Sequence, residues 1–398
     1  MNRLQELIQR LCPDGVEYVP LETICQISKG VQFNKRDMKG KGPYPVINGG
    51  IAPSGYIEKY NQQKNTVTVS QGGASAGYVS WLEENFWAGA HCYVLKPMDG
   101  ILSRFLFHCV KSKESKLQEC QYGAGIPALG KSTLAMLRIP YPPMKVQQEV
   151  VWILDQFTQL TAELTAELTA RKQQFEYYRD KYLTFEEDVP TVALGNVAVV
   201  TKLAGFEFTK YVRYSNSGRI IALRGLNVKN GKLDLSDVKY IDNSDFSKLT
   251  RSKLHVGDML FTYVGTVGQV ALVDKEDKYY LAPNVALIRS IDDRLNPQYM
   301  RYYFQSNGFW KTQINKLLQS SSMKNIPMEK IRKFEIPLPP LPEQRRIVSI
   351  LDRFDALCND LTSGLPAEIA ARQKQYEYYR DKLLMFKEVK TNENCKQE

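Results

Sequence analysis

The sequence predicts an α/β protein: two α/β domains joined by two long, antiparallel-paired helices in a pseudo-twofold, circular arrangement. Three observations carry this. One stretch occurs twice, at residues 139–185 and 336–386. Each copy is apolar at helical spacing. The segments between the copies hold short alternating runs, glycine turns and one helix, in the same order twice.

The first copy reads IPYPPMKVQQEVVWILDQFTQLTAELTAELTARKQQFEYYRDKYLTF, and the second reads IPLPPLPEQRRIVSILDRFDALCNDLTSGLPAEIAARQKQYEYYRDKLLMF. Counterparts lie 197 positions apart before the leucine-rich middle and 201 apart after it, so the second copy carries four extra residues. A repeat this distant marks a duplicated unit and not a short-period solenoid. Pro-Pro opens each copy, where proline precedes a helix well. The first stripe is Ile153, Phe157, Leu160, Leu164, Leu168, Phe175, Tyr178, Tyr182 and Phe185. The second is Ile347, Leu351, Phe354, Leu357, Leu361, Leu365, Ile369, Tyr376, Tyr379 and Leu383. A helix over 147–185 is about 58 Å long and cannot bury its stripe against itself. The two stripes correspond, so each helix is expected to pack on the other. Gly364-Leu-Pro366 is expected to break or kink the second.

The expected boundaries are a first domain at 1–138 with a short helix at 1–12, a helix at 139–190, a second domain at 191–335, and a helix with tail at 336–398. Leu4, Leu7, Ile8 and Leu11 share one side of the N-terminal helix, which Pro13-Asp14-Gly15 stops. It occupies the place that the end of a long helix takes before the second domain. The chain thus reads as a ring of helix, domain, helix, domain, opened at one point, with residues 1–12 packing near 379–386. In the first domain, strands are expected at 44–48, 66–70 and 93–95 and a helix over 103–118. The second domain places strands at 220–224, 258–262 and 285–288 and a helix over 298–318. The closing runs 129–140 and 326–337 align residue by residue.

Composition narrows the function. Apolar content of 43% and charged content of 24% are those of a globular protein. No apolar run reaches 18 residues, so no membrane span is expected, and the start is not a signal peptide. The seven cysteines form no CxxC, and reduced thiols in a cytoplasm are the simplest account. The net charge of +10 is uneven: +5 over 1–138, −4 over 139–190, +9 over 191–335 and zero over 336–398. Two basic domains on near-neutral or acidic helices imply two separate contacts with a polyanion.

Two glycine turns stand in corresponding places. Ser70, Gln71, Gly72, Gly73, Ser75 and Tyr78 belong to the first, and Thr262, Tyr263, Gly265 and Thr266 to the second. Glycine lets the backbone approach a phosphate or base closely. Neither turn is a GxxxxGK[ST] phosphate loop. Basic and amide residues flank them: Lys29, Gln32, Asn34, Lys35 and Arg36 in the first domain, Lys202, Lys210, Arg213, Arg224 and Asn227 in the second. Arginine suits guanine, amides suit adenine, and lysine suits phosphate. Polar loops at 121–125 and 319–324 precede each closing helix, and Ser320, Ser321, Ser322 and Lys324 are candidates for phosphate. No [DNS]PP[YF] tetrapeptide, adenosylmethionine glycine motif or nucleotide-binding pair is present, and the three histidines lie far apart in sequence. Glu276-Asp-Lys278 is a nuclease-like fragment in a charged turn and reads as solvated surface. No cleavage or transfer chemistry can be assembled, no cofactor is called for, and no metal site is expected.

With these residues assembled, the chain resembles the specificity subunit of type I restriction–modification enzymes over its whole length. The resemblance rests on the opening LIQRLCPDGVEYVPL, the paired IPxPP…ILD…QxEYYRDK helices, and the tandem Thr-Ala-Glu-Leu at 161–168. It implies two target-recognition domains, each reading half of a gapped double-stranded DNA sequence, here an asymmetric one because the domains differ. It further implies that the helices act as a ruler and dock two methyltransferase subunits, with restriction–translocase subunits in the full complex. Methylation and ATP-driven cleavage would belong to those partners, and this chain would be no enzyme. Candidate partner contacts are Gln148, Asp155, Leu160, Leu164, Leu168, Tyr177, Tyr178 and Arg179 on the first helix, and Gln344, Asp352, Tyr378, Tyr379 and Arg380 on the second. A free-standing DNA-binding regulator is the alternative; a single-chain restriction–methylation enzyme is disfavoured by the missing motifs.

Overall fold

The computed structural model describes residues 2–123, 125, 127–186, 188–319 and 325–389. The chain divides into two units, Met1–Thr165 with Glu368–Glu398, and Ala166–Ala367. The division falls inside the long helix Met144–Tyr182 and inside the helix Leu365–Leu383.

Each unit is built on the same sheet. In the first, strands Cys25–Lys29, Cys92–Pro97, Thr66–Ser70 and Val79–Leu82 lie side by side in that order, all antiparallel. In the second the order is Ala198–Lys202, Val285–Ser290, Met259–Thr262 and Val270–Leu272. A smaller sheet follows in each, containing one parallel pair: Tyr44–Ile47 with Trp87–Ala88, and Ile221–Leu223 with Tyr279–Leu281. Each domain is clamped where its chain enters and leaves. Tyr18–Pro20 pairs with Arg138–Pro140, and Thr191–Ala193 pairs with Glu335–Pro337. Ile139 and Ile336, the first residues of the two repeat copies, are both fully buried there.

The helix Met144–Tyr182 has the expected length but starts three residues earlier, because Pro143 already accepts from Val146 and Gln147 as the first turn. The second copy is two helices, Leu341–Asn359 and Leu365–Leu383, separated at 360–364. The Asp360 carboxylate accepts from the Thr362 N–H and the Thr362 and Ser363 hydroxyls, a local turn that competes with the helix. The four extra residues of the second copy are taken up in the region of this five-residue break. Leu361 and Leu357 consequently leave the expected stripe: both are exposed, and Cys358 is buried instead. Leu160 is exposed as well. The expected helices at 103–118 and 298–318 are also interrupted, the second at Ser306, whose hydroxyl accepts from the Phe309 N–H.

Helix packs on helix within each unit. Phe157 stacks on Tyr379 at 5.2 Å in the first, and Tyr178 stacks on Phe354 at 5.6 Å in the second. The first pair packs on a core shared with the sheet, where Val146, Val150 and Leu154 join Phe105 and Leu106; in the second unit Ile347 and Leu351 of the helix join Tyr299 and Phe304 in the core. The N-terminal helix Asn2–Leu11 contributes Leu4 to the first core, which also holds Leu383, Leu384 and Phe386. It does not stand in for the end of a long helix. That place belongs to 383–389, where Val16 donates to the Lys387 carbonyl and Val389 donates to the Val16 carbonyl. The N-terminal helix is an addition, tied by Arg3 to Glu149 at 3.1 Å.

Candidate nucleic-acid interface

The two glycine turns are the same device. Each follows a sheet strand, and each opens on a buried hydroxyl that is internally satisfied. Ser70 Oγ donates to the Gly49 carbonyl at 2.6 Å; Thr262 Oγ1 donates to the Thr266 carbonyl and accepts from the Gln269 N–H. Ser70 and Thr262 therefore shape the turns and do not reach outward. Gly77 and Gly268 close the turns by donating to the Ser70 and Thr262 carbonyls. Both have positive φ, +86° each. A Cβ would lie 2.9 Å from the Leu117 carbonyl carbon at Gly77 and 2.5 Å from the Trp310 ring at Gly268. Gly73 and Gly265, φ +80° and +76°, have open space where a Cβ would be. These tips let another backbone come close.

The turns dock on the loops before the closing helices. Gly72 bridges Ala128 and Val264 bridges Asn325; Leu129 donates to the Gln71 carbonyl and Ile326 to the Tyr263 carbonyl. Gln121 Nε2 donates to the Ala76 carbonyl at 2.6 Å. Ser320, Ser321, Ser322 and Lys324 lie outside the described residues. Lys29 and Lys202, each the last residue of an equivalent strand, stand over aromatic rings, Tyr93 at 5.8 Å and Tyr263 at 5.6 Å. Both lysines are exposed.

The other candidates separate by burial. Gln32, Lys35, Arg36, Lys210, Arg213 and Thr266 are exposed, and Gln71, Gly72, Ser75 and Tyr78 are half-buried. Tyr78 lies under the Lys111 ammonium at 4.4 Å, and burial raises the pKa of its phenol. The Asn34 carbonyl oxygen caps a short turn by accepting from the Arg36 N–H at 3.1 Å. Asn227 is corrected: it is fully buried, accepts from the Arg224 N–H and donates to the Asp234 and Asp237 carbonyls, so it holds its loop and meets no ligand. Arg224 is half-buried and tied to Asp237 at 3.0 Å. Glu276 is a surface group accepting from Val256 and facing His255 at 3.0 Å. Among the described residues no three His, Cys, Asp or Glu side chains are grouped to hold a metal ion.

On the helices, Asp155 and Asp352 are anchors to the domain of their own unit. Asp155 meets Arg104 at 2.7 Å and His108 at 3.2 Å; Asp352 accepts from the Tyr302 hydroxyl at 2.6 Å. Burial pushes the Asp155 carboxyl up, but His108 and Arg104 outweigh it and hold the pKa below the usual value. Gln344 is corrected: it is fully buried and unavailable to a partner, and its counterpart is Gln147, not the exposed Gln148. Gln147, Gln344 and His108 were missed as joint residues, although Gln147 and Gln344 each sit eight positions beyond the repeat's opening isoleucine. Leu164 and Leu168 are half-buried. Tyr177 and Tyr378 are 62% and 60% exposed, each edge-on to its neighbour at 5.3 Å, with Lys181 and Lys382 near their faces. Arg179 and Arg380 are paired with Asp180 and Asp381 beside them.

Comparison with known proteins agrees with this duplicated geometry. A family model described as the type I restriction modification DNA specificity domain matches residues 13–171 and again 186–371. The chain belongs to the type I restriction–modification specificity-subunit family. A type I restriction enzyme specificity subunit of Escherichia coli is 34% identical over 99% of both chains. A putative type I specificity subunit of Haemophilus influenzae is 31% identical over 93% of this chain and 96% of its own. The crystal structure of an S subunit from M. genitalium shares the fold, with a TM-score of 0.58 at 16% identity, covering 93% of this chain and 96% of that one. The family domain occurs here twice, once around each glycine turn. No helix among the described residues is long and apolar enough to cross a membrane.

Proposed function

We propose that this specificity subunit reads an asymmetric, gapped double-stranded DNA target, one half through residues 1–138 and the other through 191–335, and carries no catalysis of its own. The observation that supports this most is the repeated turn. An open-tipped glycine turn, docked on the loop before the closing helix and flanked by an exposed lysine over a ring, stands in each of two basic domains. Phosphates position on such cations and backbone N–H groups, and side chains of the diverged loops specify bases. The segments 139–190 and 336–398, through the helices Met144–Tyr182, Leu341–Asn359 and Leu365–Leu383, serve as spacer and dock. The matched Tyr177 and Tyr378 surfaces suit two copies of one partner, a methyltransferase subunit on each, with restriction–translocase subunits joining the full cytoplasmic complex.

The test is a domain exchange. Residues 191–335 are replaced by the corresponding segment of a relative, the variant is expressed with the methyltransferase partner, and the methylome is sequenced. One half of the target changes and the other stays. A change in both halves with folding intact, or adenine methylation by the purified chain without partner, overturns the reading.

A further inference from the structure

The second unit holds a cleft of about 930 Å³ between the turn at 262–269, the loop at 224–230 and the helix Gly205–Tyr211. Phe208 and Tyr214 bring aromatic rings to it, with centroids 5.5 Å apart, and Val212 and Leu226 continue the apolar wall. Tyr214 is 47% exposed. Arg224 lines the same cleft. One end of its guanidinium is committed, with Nη2 donating to the Asp237 carbonyl at 2.9 Å and carboxylate at 3.0 Å. Its Nε is buried and donates to nothing. A buried N–H without an acceptor is costly, and native structures leave few of them. Gly205 and Gly225 add no side chain to fill the space.

These features select the occupant. The volume is that of small-molecule clefts and leaves room for one base with its sugar, not for a duplex. The walls are mostly apolar and Lys229 at the cleft is held by Asp234, which disfavours phosphate. An aromatic face beside the Arg224 guanidinium and the amides of Asn230, Gln269 and Asn284 matches a nucleobase, which offers a face to stack and an edge of carbonyl and ring-nitrogen acceptors. The surrounding domain, at +9, draws a polyanion to the cleft mouth. We propose that this cleft receives one base of the DNA target swung out of the stack, lying on Tyr214 and accepting from the Arg224 Nε–H. The inference rests on the DNA-reading function and names how one base of the half-site assigned to 191–335 is held.

The test uses the full chain assembled with its methyltransferase partners. Binding is measured to duplexes bearing the methylome-defined target. Each position of the half-site assigned to 191–335 is mispaired in turn, omitting the methylated adenine that enters the methyltransferase. A mispair removes most of the unstacking cost, so at one position binding tightens about tenfold or more. Tyr214→Ala abolishes that gain and weakens binding to the intact target, while Tyr214→Phe, which keeps the ring, retains both. Mispairs that are neutral or weakening at every position, with the intact target still bound specifically, overturn the extrahelical base. Loss of the gain in Tyr214→Phe overturns the stacking role. Absence of specific binding to the intact target by the wild-type complex overturns the DNA-reading function itself.

Discussion

Gln147 and Gln344 make the same three hydrogen bonds in the two units. The Gln147 carbonyl accepts from the Leu102 N–H at 2.9 Å, and its amide donates to the Gly100 and Pro142 carbonyls at 2.8 and 2.9 Å. Gln344 accepts from the Asn296 N–H at 2.9 Å and donates to the Arg294 and Pro339 carbonyls, both at 2.8 Å. Each locks a helix start to the loop before its domain's helix. Replacing either with leucine strands three backbone groups, at about 1–3 kcal/mol each before relaxation. Gln147→Leu and Gln344→Leu should each lower stability by about 2–4 kcal/mol in urea titration. Gln148→Leu, at an exposed position, should change it by less than about 0.5 kcal/mol.

His108 should make the first unit sensitive to mild acid. It is fully buried, and its two nitrogens face Asp155 at 3.2 Å and the Tyr376 hydroxyl at 3.0 Å. The neutral ring donates to Asp155 and accepts from Tyr376. Burial lowers the pKa of its imidazole from the usual 6.5. The unfolded chain therefore takes up the proton first, so stability falls as pH drops from about 6.5 towards the depressed folded-state value. Melting temperature measured from pH 8 to 5 should decline below about 6.5 in the wild type. It should decline less in His108→Gln, which cannot protonate.

Gly364→Ala should disturb the break between the last two helices. A Cβ there would lie 2.6 Å from the Ala356 carbonyl oxygen and 2.8 Å from that of Asp360. Backbone must shift, and a loss of about 1–3 kcal/mol is expected. Thermal unfolding by circular dichroism measures it; an unchanged melting temperature would mean that the turn has room to yield.

Lys29→Gln and Lys202→Gln should weaken DNA binding without altering the sequence preferred. A lysine on phosphate releases counterions whatever the base. Each substitution should reduce the slope of log affinity against log salt by about 0.9. Titrations between 50 and 200 mM salt, roughly the range over which such contacts act, supply the measurement.

Inserting a third Thr-Ala-Glu-Leu after Leu168 should lengthen the gap between half-sites by one base pair. The repeat lies mid-helix, where the Thr161 and Thr165 hydroxyls donate to the Phe157 and Thr161 carbonyls, so four more residues extend the helix without a cap. They add about 6 Å and about 40°. A base pair turns about 34° and rises about 3.4 Å. Rotation should govern, because about 3 Å of excess length can be absorbed by bending. Methylome sequencing of cells carrying the insertion decides it; an unchanged gap in an active complex would remove the ruler.

Much of the architecture was legible because the repeat supplies its own control. Two copies with matching apolar stripes identify helices better than either alone, and Gly364-Leu-Pro366 announced the break. Register was less legible. Leu160 and Leu357 satisfy the helical period yet face solvent, because which side of a stripe meets a core depends on where the partner helix stops. The candidate interface was legible as turns and flanking cations. The roles within it were not, since Asn227 and Arg224 are alike as polar loop residues in sequence.

By itself the sequence determined the duplication, the two basic domains, the strand and glycine-turn order, and the absence of assembled catalytic motifs. All of these are local patterns or sums over composition. Only the tertiary structure decided which polar groups are committed. It buried Gln344 and Asn227 and closed their hydrogen bonds. It tied Asp155 and Asp352 to their domains, left Tyr177 and Tyr378 on the surface, and left the Arg224 Nε–H without an acceptor beside Tyr214. The physical reason is that a polar side chain's role depends on whether water, protein or ligand completes its hydrogen bonds. Partners far apart in the chain settle that.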